Sequence, residues 1–177
     1  MIQKVWRLKN SPDDVTAFIH NSTGLSSISS RVLNNLGLRN IAEIKQFMKP
    51  NLDEIHSPFL FKNMEKAVKR IDKALLEQEL ICCYGDYDVD GITGSSLLYN
   101  FFQFIGGKAM PYVPDRISEG YGLNKGAITK VAAMGCKLLI TADCGTRSVE
   151  EIKHANQLGL DIIITDHHEV GEVIPEA

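Results

Sequence analysis

From residue 80 onward the chain alternates short apolar runs with helical ones, and this restricts its fold more than any other feature. LICCYG (80–85), KLLITAD (137–143) and DIIITD (161–166) have the length and composition of strands and are apolar enough to be buried on both faces. Between them lie GSSLLYNFFQFIG, LNKGAITKVAAMG and SVEEIKHANQLG, three helix candidates that each close on glycine. A shorter strand, KAMPYVP, fits after the first helix. Strand, helix and strand repeated in this way predict an α/β fold, a parallel sheet with helices on both faces.

Residues 11 to 70 read as short helices separated by breakers. Ser11-Pro12-Asp13-Asp14 looks like an N-cap, a first-turn proline and acidic first-turn residues ahead of VTAFIH. SSRVLNNLG stops at Gly37 and NIAEIKQFMK at Pro50, while FKNMEKAVKRIDKALLEQ spaces Met64, Val68, Ile71 and Leu75 as one helical face. The expected division is a small helical N-terminal region, residues 1–70, and an α/β domain, residues 71–177.

Three of the strand candidates end in groups that bind metal ions. The first runs into Asp86-Tyr87-Asp88-Val89-Asp90-Gly91, the second into Asp143-Cys144-Gly145, the third into Asp166-His167-His168-Glu169. In a doubly wound sheet, sites form at the carboxyl ends of the strands, so three segments distant in sequence meet at one rim. In an extended segment residues two apart share a side, so Asp86, Asp88 and Asp90 can face one volume, an unfavourable crowding unless a cation compensates it. Carboxylates with an imidazole suit Mn²⁺, and Mg²⁺ less well, over a structural zinc site. A calcium loop of the EF-hand type is excluded, because no glutamate closes the loop and a strand precedes it. Cys82, Cys83, Cys136 and Cys144 form no CxxC pair and are expected to be buried and reduced, with Cys144 as small filler. A net charge of −3 leaves nucleic-acid contact to local Lys/Arg groups or to metal ions. MIQKVWRLKN lacks the apolar core of a signal peptide, and no apolar stretch is long enough to cross a membrane, so a cytoplasmic protein is expected.

GDYDVDG, TADCG and TDHHE together resemble the first three motifs of the DHH phosphoesterase superfamily, whose signature is here Asp166-His167-His168. Within it the sequence is most similar to the RecJ branch of single-stranded-DNA-specific exonucleases. PDRISEGYGLN, VGEVIPEA and the helical stretch from Ser29 to Ile71 carry the likeness across nearly the whole chain. The resemblance implies Asp88, Asp90, Asp143 and His167 as ligands of Mn²⁺ or Mg²⁺, in a two-metal site in the complete enzyme, with Asp86 in the same cluster. It implies His168 at metal or scissile phosphate, Asp166 orienting a histidine, and Arg116 on a DNA phosphate. The implied activity is 5′-to-3′ hydrolysis of single-stranded DNA in repair and recombination, with a helicase and a single-strand-binding protein as family partners.

The sequence departs from the family pattern in two places. Cys144 stands where the second motif usually has asparagine. Relatives also continue past this point with a fourth motif, a DHHA1 domain and an oligonucleotide-binding fold, so the expectation is a catalytic domain cut partway. The alternatives are a relative acting on pyrophosphate or short oligonucleotides, or an inactive binding module. Against a pyrophosphatase, Tyr84 stands four residues before Asp88, where those enzymes carry histidine.

Overall fold

The computed structural model describes residue 5 and residues 12–177, so the expected Ser11 cap lies outside the described residues. The chain forms two units, one ending at Ser57 and the other spanning Pro58–Ala177.

In the first unit α1 (Asp13–Thr23), α2 (Ser27–Asn35) and α3 (Ile41–Met48) gather around Ile19, Leu33 and Ile44. The helices start where side chains can accept free N–H groups: Ser26 caps α2 and Asn40 caps α3. Pro12 occupies the cap position of α1 without a side-chain bond. The buried amide of Asn34 is satisfied by donating to Pro12 O and Thr16 Oγ1, both at 3.1 Å, and by accepting from Arg39 Nε.

The second unit is built on four parallel strands: β1 (Leu80–Gly85), β2 (Lys108–Tyr112), β3 (Cys136–Ala142) and β4 (Asp161–Ile163). Their order is β2-β1-β3-β4. Alternation along β1 sends Ile81 and Cys83 to one face and Cys82 and Tyr84 to the other, and each face has its own core. On the first face α4 (Met64–Leu76) and α5 (Val89–Phe104) contribute Ala74 and Phe102. On the second, α6 (Lys125–Ala133) and α7 (Val149–Gln157) contribute Ile128, Val131 and Ile152. This is the α/β sheet with helices on both faces, preceded by helices, that the sequence predicts. All four cysteines are buried and free.

The chain leaves β1 for β2 on one side and reaches β3 on the other, so the strand order reverses between β1 and β3. A crevice opens there, outside the carboxyl ends of the strands. Arg70 secures α4 at the opposite end of the sheet, donating to Asp161 Oδ2 at 2.5 Å and Lys137 O at 3.2 Å and pairing with Glu79 at 2.8 Å.

Candidate metal centre

β1 delivers Asp86 fully buried at the rim. Its Oδ1 accepts the Asp88 N–H at 2.7 Å, while its Oδ2 is buried with no hydrogen-bond partner. Asp88 is then the N-cap of α5, accepting from the N–H groups of Asp90 at 3.0 Å and Gly91 at 3.1 Å. Asp90 lies exposed in the first helical turn. The expected two-residue alternation therefore does not run through Asp90: the helix begins at Val89, and capping fixes one Asp88 oxygen on the backbone.

β3 ends at Ala142, and Asp143 follows in the left-handed region, φ 64°. Two threonines hold this turn. Thr165 N–H donates to Thr141 Oγ1 at 3.1 Å, Thr165 Oγ1 donates to Thr141 O at 2.5 Å, and Asp143 N–H donates to Thr165 O at 3.0 Å. They extend the β3–β4 pairing past the last strand residue and bring Asp143 beside the DHH segment. His167 Nε2 lies 2.8 Å from Asp143 Oδ1, yet out of line for a hydrogen bond, and that oxygen has no other hydrogen-bond partner. One ligating atom from each of Asp143, His167 and His168 falls within 4.8 Å of the others.

Asp166 turns away from this cluster and orients it. Its Oδ2 accepts from Thr146 N at 3.0 Å and Thr146 Oγ1 at 2.8 Å, and its Oδ1 accepts from His168 N at 3.1 Å and Nδ1 at 2.8 Å. Burial alone would raise the Asp166 pKa, but these donors outweigh it and hold the carboxyl well below the usual range. The same contact raises His168, whose hydrogen bond to Asp166 favours the imidazolium. With Nδ1 engaged, Nε2 of His168 faces Tyr121, 3.4 Å from its hydroxyl.

A buried carboxylate oxygen without a hydrogen-bond partner, Asp143 Oδ1, beside two imidazoles is an oxygen-and-nitrogen donor set that fits a divalent cation of the Mn²⁺ or Mg²⁺ type; Asp86, Asp88 and Asp90 fall outside this group of three. Cys144 is buried, and burial followed by the nearby carboxylates pushes its thiol up to about 12, so it offers no thiolate. The site opens into a cleft of ≈ 690 Å³ lined by Tyr121, Cys144, Thr146, Arg147, Asp166 and His168.

Sequence reasoning did not single out Thr146, Tyr87 or Tyr121. Arg116 is exposed, with its guanidinium carbon 5.2 Å from the centre of the Tyr87 ring. The loop carrying Arg116 and Tyr121 is tied down through Tyr84, which donates to Gly122 O at 2.8 Å and stacks on Tyr112. Glu119 closes the loop by accepting from Lys130 at 2.7 Å, Tyr112 at 2.8 Å and the Asp115 N–H at 2.9 Å. These bonds, Lys130 first, lower the Glu119 pKa from 4.5 to about 2. A depressed carboxylate contributes stability that is present above pH 4.5 and lost as pH falls towards 2. Glu119→Gln is therefore expected to flatten the stability-versus-pH curve in that window, read from urea midpoints at a series of pH values.

A comparison with known protein families matches "DHH family, N-terminal domain" over residues 80–177, more than half of the chain. The chain belongs to the DHH family. Among curated members of that family, the single-stranded-DNA-specific exonuclease RecJ of Bacillus subtilis (strain 168) is 34% identical over 97% of this chain and 22% of its own length. RecJ of Escherichia coli (strain K12) is 32% identical over 86% of this chain and 26% of its own length. The chain thus spans about a quarter of the length of these DHH relatives. A crystal structure of exonuclease RecJ bound to manganese superposes with a TM-score of 0.60 at 32% identity, covering 64% of this chain and 29% of that one. RecJ from Thermus thermophilus in complex with Mn²⁺ shares the fold, with a TM-score of 0.67 at 23% identity over 96% of this chain and 23% of that one. Among the described residues no helix is long and apolar enough to cross a membrane.

Proposed function

We propose that the chain carries metal-dependent phosphodiester hydrolysis of single-stranded DNA in the 5′-to-3′ direction, in line with the exonuclease activity named for its RecJ relatives. The observation that carries this reading is the pair of partnerless buried oxygens, Asp86 Oδ2 and Asp143 Oδ1, at the rim that also holds His167 and His168. In this reading Asp143 and His167 hold Mn²⁺ or Mg²⁺, with Asp86, the free oxygen of Asp88, and Asp90 on the opposite side of the crevice. A cation bound there supplies Lewis acidity towards a phosphate oxygen and activates water. His168, held by Asp166, presents Nε2 to the cleft as a hydrogen-bond partner for the phosphate. Arg116, braced on Tyr87, offers a guanidinium to a neighbouring phosphate. A helicase that exposes single strands, a single-strand-binding protein that covers them, and a cytoplasmic location complete the reading.

A pyrophosphatase is disfavoured by Tyr84. Its ring is buried and stacked on Tyr112 of the neighbouring strand, and its hydroxyl is committed to Gly122 O, so that position supplies no ligand.

The test is Mn²⁺-dependent release of mononucleotides from a 5′-phosphorylated single-stranded oligonucleotide, with Asp88→Ala as control. Release that Asp88→Ala abolishes supports the assignment. Mn²⁺ binding without release makes these residues a binding module, and no Mn²⁺ binding overturns the metal site.

A further inference from the structure

The chain has no helix or strand after Ile163, yet that stretch carries Asp166, His167 and His168. A segment without regular structure opens locally unless side chains tie it down, so its ties decide where the two imidazoles stand. Ahead of the histidines, Thr146 donates from its N–H and its Oγ1 to Asp166 Oδ2. Behind them, Arg147 Nε donates to Glu169 O at 2.8 Å. Both donors sit in one turn, which Ser148 N–H closes by donating to Gly145 O at 3.0 Å, directly ahead of α7. The turn therefore holds the histidine pair from either end. The Arg147 stem also runs beside Gly171, where an added Cβ would lie 3.8 Å from Arg147 Cγ. Beyond Glu169 the next hydrogen bond tying this segment to the unit, among the described residues, is Asn156 to Glu176 O.

The two imidazoles depend on these ties unequally. A metal-binding histidine usually donates its second ring nitrogen to a partner that fixes its orientation. His168 has such a partner, since its Nδ1 is bonded to Asp166 at 2.8 Å. His167 makes no hydrogen bond among the described residues, and its side chain is 73% exposed. Its direction therefore follows from the backbone between Asp166 and Glu169. The other contacts of Arg147 do less. Its ion pair with Glu169 is 3.9 Å long, between side chains 65% and 95% exposed, and contributes little to stability. Its charge is unfavourable in itself, because a guanidinium lining the cleft repels a cation bound there. The bond to Glu169 O is the contact with a consequence for the centre.

We propose that Arg147 is a positioning residue for the metal centre: its bond to Glu169 O fixes the backbone that aims His167, which has no partner of its own. This rests on the functional reading above and adds to it a residue that acts through the chain and not on the metal. Glu169 is exposed, so its carbonyl takes up water when the arginine is lost, and the fold is indifferent to the exchange. The cost falls on the geometry of the centre instead.

The test is Arg147→Met in the full chain, which keeps the stem and removes the donor and the charge. Mn²⁺ affinity, read by electron paramagnetic resonance, is expected to fall about tenfold, while the urea midpoint of the metal-free chain stays that of wild type. Loss of a positive charge alone would tighten Mn²⁺ binding, so the sign of the change separates positioning from electrostatics. Arg147→Lys, which keeps a donor and the charge, recovers part of the loss. Lys153→Met removes a positive charge from α7 outside the cleft and leaves the affinity unchanged. Unchanged or tighter binding in Arg147→Met overturns the proposal, and so does a fall in its urea midpoint, which makes the arginine a structural residue. The imidazole Cε1–H resonances of the metal-free chain give a second readout that needs no metal. The His167 signal shifts in Arg147→Met while that of His154, on α7, stays in place. A wild-type chain that binds no Mn²⁺ removes the metal reading; the His167 shift then upholds the positioning role, and its absence overturns it.

Discussion

Asp143→Asn is expected to abolish Mn²⁺ binding while leaving the fold intact, the largest functional effect that a one-residue change should produce here. Asp143 is the only carboxylate within ligating reach of both histidines among the described residues, and its Oδ1 is buried without a hydrogen-bond partner. Losing an outer-shell partner of a metal ligand costs about 10- to 100-fold in affinity, so losing the charged ligand itself should cost at least about 100-fold. Asparagine is the informative replacement because of the backbone. At φ 64° an aspartate or asparagine is tolerated, whereas alanine adds about 1–2 kcal/mol of left-handed strain. The contact given up, to a largely exposed His167, is worth no more than about 1 kcal/mol. Titration with Mn²⁺ followed by electron paramagnetic resonance, alongside urea unfolding of the metal-free chain, separates the two quantities. Unchanged Mn²⁺ affinity would remove Asp143 from the centre. A collapse of metal-free stability would make its role structural.

The sequence was most informative where burial controls the pattern. A strand buried on both faces reads as an unbroken apolar run, so β1, β3 and the neighbourhood of β4 stand out in LICCYG, KLLITAD and DIIITD. Polar groups placed directly after such runs must lie at the sheet's rim, which is why the sequence alone assigns Asp86, Asp143 and Asp166 to one region. Local hydrogen bonding within that region was not legible. Asp88 follows a strand and precedes a helix, and only the position of the first helical N–H groups decides that its oxygen caps α5. The left-handed turn at Asp143 depends on Thr141 and Thr165, which are distant in sequence from each other and carry no pattern that identifies them as partners. Tyr121 was missed for a related reason. Its loop has no periodicity, and its place against His168 depends on a hydrogen bond made by Tyr84, which lies on a strand far earlier in the chain.

Gly91→Ala is expected to be strongly destabilising although it places alanine inside a helix. Alanine normally favours a helix over glycine by roughly 1 kcal/mol, so propensity alone predicts a gain at this helical position. Close approach reverses the sign. A Cβ on Gly91 would lie 2.4 Å from Asp86 N and 2.6 Å from Asp86 O, and one on Gly85 would lie 2.1 Å from Gly91 O. The end of β1 and the first turn of α5 thus touch backbone to backbone, and no rotamer change can make room. Overpacking of a yielding site costs about 1–3 kcal/mol, so a rigid one should reach roughly 3 kcal/mol or more. Gly94→Ala provides the graded comparison, because its added methyl meets only the Ala142 Cβ, at 2.9 Å, and should cost less. The same contact sets the distance between the α5 N-terminus and Asp86, so Gly91→Ala should also weaken Mn²⁺ binding in whatever fraction remains folded. Urea midpoints for the two variants, read with Mn²⁺ titrations, test both effects. Equal midpoints for Gly91→Ala and wild type would show that α5 can move away from β1, and that the position of Asp86 in the crevice is not fixed by this contact.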